Sequence, residues 1–181
     1  MKWKIDKRIK DEESIIATSW IMTEVMGEDL DKIEYINISL GRGKLGGIYG
    51  RCHYPTRQRK SYRISCQVPG PYPMEFAIKN APIYYKEDER NAIIKLFRDS
   101  KEHVIGGKCW LETTDNLTLN TMAEGIVFIV MHELFHYFRK TGQITGRNVE
   151  WQADAYAKIM LKRYQDSLGR MNLGPSVACP R

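Results

Sequence analysis

Two histidines four residues apart, with a glutamate between them, are the residues of this 181-residue chain best suited to do chemistry. They stand in the run His132-Glu133-Leu134-Phe135-His136. On an α-helix, positions i and i+4 share one face about one turn apart, so both imidazoles can bind one metal ion, and zinc suits them. Glu133 projects beside them and is free to act as a base on a water that the metal activates. That is the minimum apparatus for hydrolysing an amide. With 4 histidines in the chain, random placement would produce the pattern about 0.006 times per chain. The competing explanation is a pair of core histidines. Glu133 would then be a buried carboxylate without a partner, at a cost of several kcal/mol.

The elements that must position these residues are legible around them. Thr121-Met122-Ala123-Glu124 has the capping-box pattern that opens a helix, and a helix should run from there to about Lys140, with Gly142 to stop it. A last helix should start near Asn148 and continue to about Ser167, with Gly169 past its end and an irregular tail, LGPSVACPR. Its first turns carry Glu150 and Asp154, a carboxylate followed four residues later by another.

HExxH followed by Glu150-Trp151-Gln152-Ala153-Asp154 resembles the gluzincin class of zinc metallopeptidases, over about residues 121–164. The resemblance implies that Glu150 is the third zinc ligand and that Asp154 hydrogen-bonds a ligand histidine. A β-hairpin ahead of the HExxH helix, from Gly46-Gly47-Ile48-Tyr49-Gly50-Arg51 into SYRISCQV, is similar to the small cores of SprT-like and ImmA/IrrE-like proteins. The chain has no third histidine after His136, and Phe135 stands where bacterial HELGH motifs often carry glycine. Asp154, His53 and His103 compete with Glu150 for the third position. Tyr156, Tyr164, His103 and Arg163 are all open candidates for a donor to the substrate oxyanion.

Upstream, the apolar spacing of residues 7–28 predicts an amphipathic helix ending at Gly27. Residues 33–40, 47–54 and 61–68 read as strands of one antiparallel sheet, the last two joined by the polar loop PTRQRK. PGPYP at 69–73 must be a loop, because proline lacks an amide donor. Residues 86–100 read as a helix, and 103–112 and 117–120 as strands. The expected fold is therefore a single α+β, zincin-like domain over 1–181, with an antiparallel sheet packed on the HExxH helix and a further C-terminal helix.

The formal charge of +6 and the pI near 9.1 are a weak pointer to acidic partners. Arg57, Arg59 and Lys60, set among Tyr54 and Tyr62, are candidate contacts to nucleic acid. A peptide or protein substrate could lie in extended form along a sheet edge near 109–120. Gly41-Arg42-Gly43-Lys44-Leu45-Gly46 fits a dinucleotide fingerprint, but the required helix is replaced by the β-like GIYGRCHYP. Cys52, Cys66, Cys109 and Cys179 form no CxxC pair and read as free thiols, although Cys52 and Cys66 can face each other across the hairpin and would bond in an exported protein. The longest apolar run is far too short for a membrane span, and the N-terminus has no apolar stretch behind its charges, so a cytoplasmic protein is expected. The function these residues imply is a zinc-dependent peptidase. The rival is a catalytically idle zincin-fold binding module that senses a ligand or grips nucleic acid through the basic hairpin.

Overall fold

The computed structural model describes residues 1–25, 30–41 and 49–172. Gly27, the glycine-rich stretch after Gly41, Cys179 and the C-terminal tail lie outside the described residues. The architecture is α+β. A first strand, β1 (Lys2–Ile5), leads into helix α1 (Glu12–Glu24) and strand β2 (Ile33–Leu40). Helix α1 begins later than its apolar spacing suggests because Asp11 caps it, its carboxylate accepting from the Ser14 amide at 2.8 Å. Strands β3 (Gly50–His53) and β4 (Tyr62–Val68) form the expected antiparallel hairpin.

The four strands lie in the order β1-β2-β4-β3, and here the expectation of an antiparallel sheet fails. β1 pairs with β2 in parallel, and β2 pairs with β4 in parallel; only β3 and β4 run antiparallel. The reason is topological. β1 and β2 are joined through α1, a crossover that returns the chain to the same end of the sheet. Among the described residues β3 is an edge strand with β4 as its one neighbour.

Beyond the proline loop the chain forms strands that carry no clear signal in sequence, β5 (Met74–Lys79) and β6 (Ile83–Tyr85). The helix expected over 86–100 shrinks to a 3-10 turn (Glu87–Glu89) and α2 (Arg90–Leu96). The strand expected over 103–112 is a hairpin, β7 (Lys101–Ile105) and β8 (Lys108–Glu112), because Gly106 and Gly107 adopt φ of 57° and 73° and turn the chain between them. β8 is the middle strand of β6-β8-β7, while β9 (Thr114–Leu119) pairs antiparallel with β5.

Helix α3 (Met122–Thr141) carries the HExxH run, and α4 (Glu150–Asn172) follows it. Thr121 caps α3 through its hydroxyl, which accepts from the Glu124 amide at 3.2 Å. Glu124 reaches one residue further back than a capping box requires, to the Asn120 amide at 2.6 Å. Gly142, at φ 82°, ends α3 as expected. Gly169 does not end α4, which runs on to Asn172. From Ile126 to Met131 every α3 residue is buried, so the helix needs cover on all sides. β3 and β4 cover one side, α1 and α4 the others. Ile36, Ile38 and Ile64 of the sheet and Ala157, Leu161 and Tyr164 of α4 share its core. Among the described residues no helix is long and apolar enough to cross a membrane.

Candidate metal centre

His132 and His136 turn toward the start of α4, where Glu150 meets them. His132 Nε2 lies 3.2 Å from His136 Nε2 and 3.4 Å from Glu150 Oε2, and His136 Nε2 lies 3.6 Å from Glu150 Oε1. Among the described residues these three form the one group of His, Cys, Asp or Glu side chains close enough to hold a metal ion. Donors bound to a tetrahedral zinc at about 2.0–2.1 Å stand about 3.3–3.4 Å apart, so the triangle has the size that zinc requires. Its nitrogen and oxygen donors are also of the kind zinc takes.

The outer nitrogens are held as well. His132 Nδ1 faces Asp154 Oδ1 at 2.9 Å, and His136 Nδ1 faces Asn148 Oδ1 at 2.7 Å. Each acceptor keeps a proton on Nδ1 and leaves Nε2 for the shared centre. Asp154 is itself fixed, since its Oδ2 accepts from the Lys79 backbone N–H at 2.8 Å. That bond clips α4 to the end of β5. Burial works against a charge on His132, yet the hydrogen bonds to Asp154 and Glu150 and the charge of Glu133 outweigh it and raise its pKa to about 9. The centre thus favours a positive charge, which a bound metal satisfies in place of the proton.

Glu133 is 5% exposed and lies against β3, close to the same centre. Burial pushes its pKa up to about 7, while the charge on His132 and a hydrogen bond from the Cys52 backbone N–H pull the other way. Its place exists because residue 50 is glycine. A Cβ there would stand 2.6 Å from Glu133 Cγ.

The group opens into a cleft of about 710 Å³ between β3 and β5. Tyr49, Phe76, Phe128 and Ile129 give it an apolar wall, and Tyr54 and Asn148 stand at the metal group. No family model, curated protein or solved structure matches this chain. The site therefore rests on its own geometry.

Glu150 and Asp154 take the places the sequence suggests, one beside both Nε2 atoms and the other behind His132. The competitors for the third position, His53 and His103, do not line the cleft. His103 stacks on Trp110 with ring centroids 5.1 Å apart. None of the four oxyanion candidates lines it either. Tyr156 packs on Phe135, Tyr164 on Trp20, and Arg163 pairs with Glu24 at 2.7 Å. Within the expected edge region 109–120, β8 has neighbours on both sides, β9 pairs with β5 alone among the described residues, and the cleft is walled by β3 and β5. Of the basic loop residues, Arg57 and Lys60 are exposed, while Arg59 turns back to donate to the Tyr54 carbonyl at 2.7 Å. Cys52, Cys66 and Cys109 are free and buried, and burial raises the thiol pKa values of Cys52, to about 12, and of Cys66.

Asn148 and Tyr54 are the residues sequence reasoning missed. Asn148 precedes its helix, where it reads as an ordinary cap, and only the partner on His136 reveals it.

Proposed function

We propose that this chain is a zinc-dependent metallopeptidase with a zincin-like core, cleaving peptide or protein substrates laid in the cleft between β3 and β5. The observation that carries the reading is the triangle of His132 Nε2, His136 Nε2 and Glu150 carboxylate at 3.2–3.6 Å, with Glu133 buried beside it. Zinc bound there supplies Lewis acidity, making a water nucleophilic near neutral pH and drawing charge from a carbonyl oxygen. Asp154 and Asn148 hold the two imidazoles in the tautomer that presents Nε2. Glu133, buried in the lining of the cleft, takes the proton of the attacking water and gives it up to the leaving amine. The apolar wall seats a substrate side chain and excludes water from the reacting bond.

A binding module built on the same fold would keep the histidines but has no use for a buried carboxylate in the position of Glu133. The experiment is zinc titration of wild type and Glu133→Gln, followed by cleavage of a peptide library. Both should bind one zinc, and only wild type should cleave. A wild type that takes no zinc at micromolar concentration, or that binds zinc and cleaves nothing, refutes the peptidase reading.

A further inference from the structure

The cleft holds a hydrogen-bond relay that begins at His136 and ends at a phenol. His136 presents Nε2 to the metal group, so Nδ1 carries the proton and donates to Asn148 Oδ1 at 2.7 Å. That bond fixes which way round the amide lies. Its nitrogen can only donate, and it donates to the Tyr54 hydroxyl at 3.0 Å. Tyr54 Oη is therefore the acceptor in this pair, and its own hydrogen is left without an acceptor among the described residues. Tyr54 is held at both ends. Arg59 bonds its carbonyl, the Tyr62 ring stands edge-on at 6.1 Å, and Lys140 Nζ lies 5.6 Å over its own ring. The residue lines the cleft and is 37% exposed.

We propose that Tyr54 donates a hydrogen bond to the carbonyl oxygen of the bound peptide as that oxygen gains charge, and that Asn148 is the positioning residue that turns the Tyr54 hydrogen into the cleft. The assignment rests on the peptidase reading and extends it to two residues outside both helices' motifs. An amide suits this role better than a carboxylate. A carboxylate would accept from His136 and would also draw the phenolic hydrogen to itself, whereas Asn148 accepts on one side and donates on the other. Burial raises the pKa of the phenol, so Tyr54 keeps its hydrogen at neutral pH. No proton is transferred; the bond to the substrate oxygen forms and is lost with the product.

The test uses Tyr54→Phe, Asn148→Asp and the double variant in the full zinc-loaded chain, with zinc affinity measured by chelator competition alongside kcat and KM. Both positions are at the surface, so the fold tolerates the changes. Tyr54→Phe should lower kcat about 10²-fold with KM little changed, the usual loss for one oxyanion donor. Asn148→Asp should keep zinc affinity, because a carboxylate still accepts from His136, yet lose kcat to a similar extent. The double variant should be no worse than either single one, since both remove the same hydrogen bond. If Asn148 served only to orient His136, Asn148→Asp would cleave as wild type does, and that result overturns the proposal. Wild-type kcat in Tyr54→Phe overturns it equally. A wild type without zinc or without cleavage overturns the peptidase reading and this assignment together, which separates the two failures.

Discussion

Replacing Gly50 with alanine tests whether β3 sets the position of Glu133. The added Cβ would come closest to Oε1 of Glu133 and would stand 2.6 Å from its Cγ and 2.8 Å from its Cδ, where ordinary contact begins at 3.4 Å, so the two must part by about 1 Å. The backbone at Gly50 does not need glycine for its own conformation, because it has no positive φ. The whole effect is therefore steric. Glu133 is buried and its helix is packed on all sides, so the strain falls on the carboxylate and on the edge strand that bonds it through the Cys52 N–H. Overpacking of this kind costs about 1–3 kcal/mol, enough to lower the melting midpoint by a few degrees. A catalytic group misplaced by about 1 Å costs on the order of 10²-fold in rate. His132, His136 and Glu150 are untouched, so zinc affinity should stay at the wild-type value while kcat falls about 100-fold. The assay is peptide cleavage at saturating zinc with thermal melts in parallel. If Gly50→Ala binds zinc normally and cleaves within about twofold of wild type, the contact does not position the base and the reasoning is wrong.

Glu150→Ala should weaken zinc binding more than Asp154→Ala. The first removes a donor, and the second removes a partner of His132 and so should cost about 10- to 100-fold in affinity; chelator competition on both variants decides, and equal losses would count against the assignment. Away from the cleft, Glu102 accepts from Arg90 at 2.7 and 2.8 Å and from the Tyr85 hydroxyl, and the Arg90 bonds lead in holding its pKa down from 4.5 to about 2. A carboxylate whose folded pKa is depressed stabilises the fold above its unfolded pKa and loses that contribution as the pH falls through the folded value. The urea midpoint of wild type should therefore exceed that of Glu102→Gln at neutral pH, and the gap should shrink between about pH 4.5 and 2. A gap that stays constant in acid would mean that the Arg90 pair does not stabilise the fold.

Some of this molecule could be read along the chain because it depends on neighbours in sequence. The four-residue spacing of His132 and His136 places them on one face whatever surrounds the helix. Thr121 and Gly142 bound α3 by bonds within a few residues, and the polar loop of the β3–β4 hairpin has its own turn chemistry. Glu150 and Asp154 follow from the short connection between two helices, which leaves α4 little choice but to fold back over the histidines.

The rest depends on segments far apart in the chain. β1 lies parallel to β2 because α1 carries the chain over between them, β4 lies parallel to β2 because β3 intervenes and runs antiparallel to β4, and no pattern within a strand records which way its neighbour runs. β5 is fixed by pairing with β9, and its end is tied to Asp154 across 75 residues of sequence. The same holds for Gly50 under Glu133, which looks like an ordinary strand residue until the sheet is laid on α3. Asn148 and Tyr54 stand 94 residues apart, and nothing local marks either as part of the site. Sequence alone determined which residues share one helical face at metal-ligand spacing, because helical spacing and caps are short-range. Tertiary structure decided which residues hold, bury and face them, because hydrogen bonds and steric limits act between atoms brought together only when the sheet packs on the helices.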